Sequence, residues 1–240
     1  RNRPSHLQHA LSCLRKQTYK NIEIVIVDDG SSTDVSYIAE QYAAEVLFRT
    51  EHIGRARALN EGFVRSNGEF AFFCDDDLEL KRDMIGKLVD ALARNPSKAY
   101  AYCGFVKEEK DCRRIIGMVR FNYQSLIDNN YINIASLVRR SKFIEAGMFD
   151  TSLPRLIDWD LWLSLLELGY EGVLVPEVLY KHLRVEGPSI SDHRNFEAFI
   201  QTRNLVYKKH SLLVGRYKPL RRKFWTLFEK IWKKVPESIK

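Results

Sequence analysis

The chain has 240 residues, 45% of them hydrophobic, and a formal net charge of +7. That length supports one substantial core with an appendage, and no apolar run approaches the roughly 20 residues that a membrane-spanning helix needs. The charge is uneven: residues 205–240 carry eleven Lys/Arg against two Asp/Glu, leaving the remainder near neutral. The main body lacks the positive stripe of a nucleic-acid-binding domain, so no nucleic-acid partner is expected.

The chain opens at Arg1-Asn2-Arg3-Pro4 without Met and reads as a fragment. Pro4 and Ser5 start a helix whose apolar positions, Leu7, Ala10, Leu11 and Leu14, share one face, and it ends near Thr18. Residues 22–27 are a β-branched run that stops at Asp28-Asp29-Gly30-Ser31-Ser32-Thr33-Asp34, a turn rich in capping residues. A helix with Val35, Ile38, Ala39 and Tyr42 on one face follows, then a short strand over 46–48 and a helix over 54–66. Glu69-Phe70-Ala71-Phe72-Phe73-Cys74-Asp75-Asp76-Asp77 is an apolar run ending in three carboxylates. It reads as a strand covered on both faces. This alternation of strand and helix predicts a parallel, right-handed, nucleotide-binding type of sheet.

Beyond Asp77 a helix presents Met84, Ile85, Leu88, Val89 and Leu92, stopped by Asn95-Pro96, and residues 99–106 read as a strand. Residues 107–133 are charged and then Asn-rich, a loop or short strands over the sheet edge, of the kind that often forms a lid. A strand over 134–139, a short helix over 142–146 and a firm helix over 158–168 come next. Short strands are expected over 172–176 and 178–184, with closing helices over 196–210 and 220–235. The four cysteines, Cys13, Cys74, Cys103 and Cys112, lack CxxC spacing and read as reduced thiols of a cytoplasmic protein; no signal peptide is visible.

Three adjacent carboxylates at a strand's carboxyl end repel one another unless a cation neutralises them, which points to a divalent metal; a solvated acidic turn is the plain alternative. At the neighbouring strand end, Asp28 or Asp29 can accept from the imide N–H of a uracil or thymine ring or from ribose hydroxyls, whereas Gly30 to Asp34 need explain no more than a turn and a helix cap.

Together with Gly54-Arg55-Ala56-Arg57-Ala58-Leu59-Asn60-Glu61-Gly62, these acidic clusters resemble the family 2 glycosyltransferases, which have the A-type glycosyltransferase fold and use nucleotide-sugar donors. Gln17-Thr18-Tyr19-Lys20-Asn21-Ile22-Glu23-Ile24 before Val27-Asp28-Asp29 is similar to that family's nucleotide-binding segment, and the resemblance runs from Arg1 to about Ser191. It implies that Asp28 and Asp29 contact base and ribose and that Asp75-Asp76-Asp77 is the DxD motif. Within it Asp77 would ligate Mn²⁺ or Mg²⁺, with Asp75 or Asp76 near the ribose and Asp75 a second candidate ligand. Arg55 and Arg57 are candidates for the phosphates or base, or for a solvated helix face.

Ile157-Asp158-Trp159-Asp160-Leu161-Trp162 looks like the family's Glu-Asp-x-Asp-Leu segment, which makes Asp158 the implied general base of a single displacement with inversion. By residue type alone it is a helix N-cap. Trp159, with Trp162, Leu163 and Leu166, forms an apolar core face and is also a candidate for the acceptor pocket. Two positions depart from the pattern. Ile157 replaces the usual Glu, and Glu186 stands where a His three residues before Ser-x-Ser is common. Glu186 is therefore a candidate metal ligand, with His182 and His193 as substitutes. The family's first strand is also missing ahead of Asn2, so the expected sheet lacks a central member, as in a shortened chain or an incomplete gene prediction.

The resemblance gives an α/β fold with a mostly parallel Rossmann-like sheet: residues 1–106 as the nucleotide-sugar half, 107–192 as the acceptor half and 193–240 as basic C-terminal helices. The expected reaction moves a sugar from a UDP-, GDP- or dTDP-sugar to a hydroxyl of a glycan or lipid-linked acceptor. The alternatives are a nucleotide-sugar-binding module without turnover and a sugar nucleotidyltransferase, for which the chain lacks a Gly-rich, Lys-containing phosphate loop. Phe224, Trp225, Leu227, Phe228, Ile231, Trp232 and Val235 beside Lys223, Lys230, Lys233 and Lys234 fit a helix lying on a membrane surface. Location at the inner face of the plasma membrane is the corresponding expectation, and packing on the domain is the alternative.

Overall fold

Short amphipathic helices and β-branched runs alternate along the chain, and the architecture follows from what each can bury. The computed structural model describes residues 1–49, 51–109, 112–183 and 196–217. Helix α1 (Pro4–Arg15) begins with Pro4 in its first turn, where a missing N–H costs no helical hydrogen bond, and buries Ala10, Leu11 and Cys13. Strand β1 (Val25–Asp29), α2 (Ser36–Gln41), β2 (Glu45–Arg49) and α3 (Arg55–Arg65) follow. β1 and β2 pair in parallel, Val25 opposite Glu45, as a two-stranded sheet. Helix α3 lies close on β1: a Cβ at Gly62 would stand 2.9 Å from Val27 Cγ2.

The second sheet is built from β3 (Phe70–Phe72), β4 (Leu78–Leu80), β5 (Tyr100–Glu109), β6 (Cys112–Ile116), β7 (Leu137–Arg139) and β8 (Gly172–His182). Its order is β3-β7-β5-β8-β4, with β6 paired to β5. Helices α4 (Met84–Arg94), α5 (Tyr123–Asp128), α6 (Arg140–Glu145), α7 (Ile157–Glu167), α8 (Phe196–Lys209) and α9 (Ser211–Tyr217) complete the described chain. The sheet system is mixed: β1–β2 and β5–β8 are parallel, while the other ladders are antiparallel. The β5–β6 hairpin has to be, since a tight connection cannot join parallel strands.

The apolar run before the acids differs from expectation. It contributes only the three residues of β3, half-buried rather than covered on both faces, and they pair antiparallel with β7. Among the described residues β1 is paired only by β2 and β3 only by β7. Both strands border one cavity of about 1720 Å³, walled by Leu7, Leu11 and Leu14 of α1 and by Leu59 and Phe63 of α3. Among the described residues the strands thus form two separate sheets.

The main core forms around α7, which is buried on nearly every side. Trp162 stacks on Tyr100 with ring centroids 4.4 Å apart. The indole N–H groups of Trp159 and Trp162 donate to the carbonyls of Leu126 (2.7 Å) and Ile132 (2.9 Å), so neither large ring buries an unmatched donor. Val206, Leu213 and Val214 of α8 and α9 belong to this same core. On the opposite face, Met84, Leu88 and Leu92 of α4 pack with Leu78, Leu80 and Leu179.

Residues 172–182 form one continuous strand instead of two, with the register slipping beside Gly104. The segment expected as a loop or short strands contains β6 and α5, and β4 and α9 are additional elements. Cys13, Cys74 and Cys103 are free thiols; burial pushes Cys103 up to about 12. No helix among the described residues is long and apolar enough to cross a membrane. Glu186, His193 and the 220–235 stripe lie outside the described residues.

Candidate functional site

Strand ends deliver acidic side chains to the cavity from three directions. Asp28 and Asp29 come from β1, Asp75 to Asp77 from the turn after β3, and Asp158 from the first turn of α7; all line it, together with Arg3, His52, Arg55, Arg155 and His182.

The β1 end is partly committed to structure. Asp28 is 8% exposed and its Oδ1 accepts from the Ser31 N–H at 3.1 Å. Asp29 holds the loop ahead of α3: its carboxylate accepts from the N–H groups of Ile53 (2.6 Å) and Gly54 (3.1 Å) and lies 2.6 Å from His52 Nδ1. Gly30 has φ +75°, and a Cβ there would meet the His52 nitrogen at 3.0 Å; that approach requires glycine. Asn2 pins the turn after β1 from the amino end, its Oδ1 accepting from the Ser32 N–H at 2.8 Å.

The three consecutive acids have three different surroundings. One guanidinium nitrogen of Arg55 reaches both oxygens of Asp75 at 2.8 Å. Asp76 Oδ1 lies 2.7 Å from Arg3 Nη2, a pairing that no sequence pattern announced. Among the described residues Asp77 has no such cation, and its Oδ1 is buried without a hydrogen-bond partner there. Burial, then the charges of Asp75 and Asp76, push its carboxyl above the usual range, opposed by His182 and Arg3. The β4–β8 ladder sets His182 opposite Leu78, and the Leu183 N–H donates to the Asp77 carbonyl at 2.7 Å. Burial pulls the His182 imidazole below its ordinary pKa, against the charges of Asp77 and Asp75, which favours the neutral ring.

An orphaned buried carboxylate oxygen next to a neutral imidazole fits a divalent cation. Among the described residues no group of three or more His, Cys, Asp or Glu side chains forms a complete cage. Mg²⁺ and ions like it are commonly held by one or two carboxylates with the remaining positions filled by substrate phosphates and water, so the donor set is suitable for an ion that arrives with its substrate.

Asp158 is the second residue of α7, not its cap; the cap position is Leu156, in the left-handed region at φ 58°. Asp158 Oδ1 accepts from the Trp159 N–H at 2.9 Å. Burial raises its carboxyl above the ordinary value, opposed by the Arg55 cation and by hydrogen bonds from Asn130 and the Trp159 N–H. Arg55 in turn is desolvated by burial, yet Asp75 and Asp158 outweigh this and hold its proton more tightly than usual. Arg55 therefore links the strand-end acids to Asp158.

Two candidates are not brought to this cavity. Arg57 is exposed on α3 and absent from the lining, because a two-residue step along a helix turns the side chain to another face. Trp159 is 2% exposed, and its indole N–H is spent on Leu126, so it is core. Sequence reading also passed over Asn130 and a set in which buried Asp160 and His210 meet the exposed Lys209, 49 and 50 residues separating Asp160 from its two partners.

A family model described as glycosyl transferase family 2 matches residues 1–149. An uncharacterized glycosyltransferase of Haemophilus influenzae is 25% identical over 215 residues, 85% of this chain and 83% of its own. One from Rickettsia typhi is 30% identical over 185 residues, 70% of this chain; the chain spans only 57% of that relative. Among solved structures, S. aureus TarS 1–349 in complex with UDP has a TM-score of 0.74 at 14% identity, over 99% of this chain and 73% of the TarS 1–349 chain. The mannosyltransferase PcManGT from Pyrobaculum calidifontis, in complex with GDP-Man and Mn2+, has a TM-score of 0.67 at 20% identity, over 87% of this chain and 61% of its own. The fold is the A-type glycosyltransferase fold. With the family model covering residues 1–149, more than half of its length, this chain belongs to glycosyl transferase family 2.

Proposed function

We propose that the chain transfers a sugar from a nucleoside-diphosphate sugar to a hydroxyl of a glycan or lipid-linked acceptor, with inversion and with a divalent metal, Mn²⁺ or Mg²⁺. The observation that carries the reading is the unpartnered, buried Asp77 oxygen in the same cavity as Asp28 and Asp158. Asp28 and Asp29 would take the base and ribose. Asp77, with Asp75 and His182, would hold the metal; Glu186 is a further candidate ligand. A cation held there would supply Lewis-acid stabilisation of charge on the departing nucleoside diphosphate. Arg55, already beside Asp75, adds a fixed positive charge in the same place.

Asp158 is the proposed general base. Its raised proton affinity, from burial, makes it a better acceptor for a hydroxyl proton than an exposed carboxylate, while the Arg55 cation opposes that rise. Attack from the face opposite the leaving group inverts the anomeric carbon. The complexes with UDP and with GDP-Man and Mn2+ formed by the two solved relatives support the donor class. The Lys-rich apolar stripe over 220–235 supports contact with an anionic membrane surface at the cytoplasmic face.

The test is product identity. Incubation with UDP-, GDP- and dTDP-sugars, Mn²⁺ and a glycan acceptor panel should release nucleoside diphosphate and form a glycoside of inverted configuration. Release of inorganic diphosphate would instead make it a nucleotidyltransferase, and binding without either product would make it a binding module.

A further inference from the structure

Helix α7 carries Asp158 on one side and, two residues on, Asp160 on the other. Asp160 is 1% exposed, and its carboxylate receives two donors from the carboxyl end of α8 and the turn after it. Lys209 Nζ donates to Oδ2 at 2.8 Å and His210 Nε2 to Oδ1 at 3.0 Å. Lys209 also reaches Asp150 Oδ2 at 2.9 Å, and His210 Nδ1 lies 3.0 Å from Glu167 Oε2, off the N–H direction. A buried carboxylate with two donors is a firm joint, since loss of either leaves charge unmatched in the interior.

The joint binds two walls of the same cavity. At its amino end α8 presents Phe196 and Phe199, which stack at 6.4 Å and line the cavity with Arg155, Leu156 and Asp158. Further along, the Tyr207 ring meets Trp159 edge-on at 5.3 Å, and its hydroxyl donates to the Ile127 carbonyl at 3.1 Å. Apart from Ile127, these residues lie beyond the residues 1–149 that match the family model.

We propose that Asp160, Lys209 and His210 are positioning residues that seat α7 against α8, so that Asp158 and the Phe196–Phe199 platform face one acceptor space. Residues 196–217 are then part of the transferring unit. The inference rests on the reading of Asp158 as base.

The experiment compares Lys209→Met, His210→Gln and the conservative Lys209→Arg for nucleoside-diphosphate release from UDP-, GDP- and dTDP-sugars with Mn²⁺, and for amide hydrogen exchange over 157–163. Lys209→Met and His210→Gln should lower kcat about tenfold, leave donor KM within about twofold, and speed exchange at the start of α7; Lys209→Arg should restore both. A purely stabilising joint would lower the thermal midpoint while leaving kcat per folded molecule unchanged, and that result, or unchanged exchange, would overturn the proposal. Asp158→Asn, run beside them, separates the two readings: if it retains release, the base assignment fails; if it abolishes release while Lys209→Met does not, only the positioning role fails.

Discussion

Each of the acids facing the cavity is distinguished by its partner. Asp75 and Asp76 are matched by Arg55 and Arg3, Asp29 by backbone N–H groups, and Asp77 retains an unmatched buried oxygen. Asp77→Ala should therefore abolish the metal-dependent part of nucleotide binding, measured by calorimetry with Mn²⁺ and with EDTA; equal binding in both would remove Asp77 from the metal site. Asp158→Asn should leave nucleotide binding intact and lower transfer by roughly 10²–10⁴-fold, and near-normal transfer would reduce it to a helix-start carboxylate. The pH dependence carries the same information. Burial raises Asp158 above 3.8, so transfer should fall, as pH drops, around a midpoint above that value. Because the Arg55 cation lowers it, Arg55→Met should move this acid limb upward. The stability linkage has the opposite sign: an Asp with raised folded pKa favours the fold most below 3.8 and loses that contribution as pH rises through its folded pKa. That the acids matter was legible in their spacing. Which cation each one meets was not, because Arg3, Arg55 and His182 arrive from three distant elements.

Among the elements, α7 holds the site and the core together. Trp162→Ala removes a ring stacked on Tyr100 and a hydrogen bond to Ile132, and should cost about 3–5 kcal/mol in denaturant unfolding. Gly172→Ala tests the same contact from the strand. Its Cβ would fall 2.3 Å from the Tyr100 ring, which is fully buried and cannot retreat. A loss of about 1–3 kcal/mol is expected, and an unchanged midpoint would show that the ring can shift. Periodicity located α1, α3, α4 and α7 well, because each buries an apolar face over several turns. It missed β4, three residues and too short to show alternation, and α9, whose seven residues follow α8 without a strong breaker, and it overstated the length and burial of β3. It also split β8 at Pro176, although the ladder to β5 absorbs that proline with a register shift.

At the level of the whole molecule, the order of motifs carried the fold class, since strand ends, acids and an acidic helix start recur in one sequence along the chain. The topology beyond that depended on contacts between distant segments. The division into two sheets around a cavity of about 1720 Å³, and the anchoring of α8 and α9 into the core around α7, both arise from pairings that no local pattern specifies. The central claim is that this cavity holds a nucleoside diphosphate with a divalent ion at Asp77. The measurement that tests it most directly is calorimetric titration of UDP, GDP and dTDP into the chain with and without Mn²⁺. Saturable binding of one nucleotide that requires Mn²⁺ is the predicted result; binding of none of them, or binding indifferent to the metal, would contradict the account.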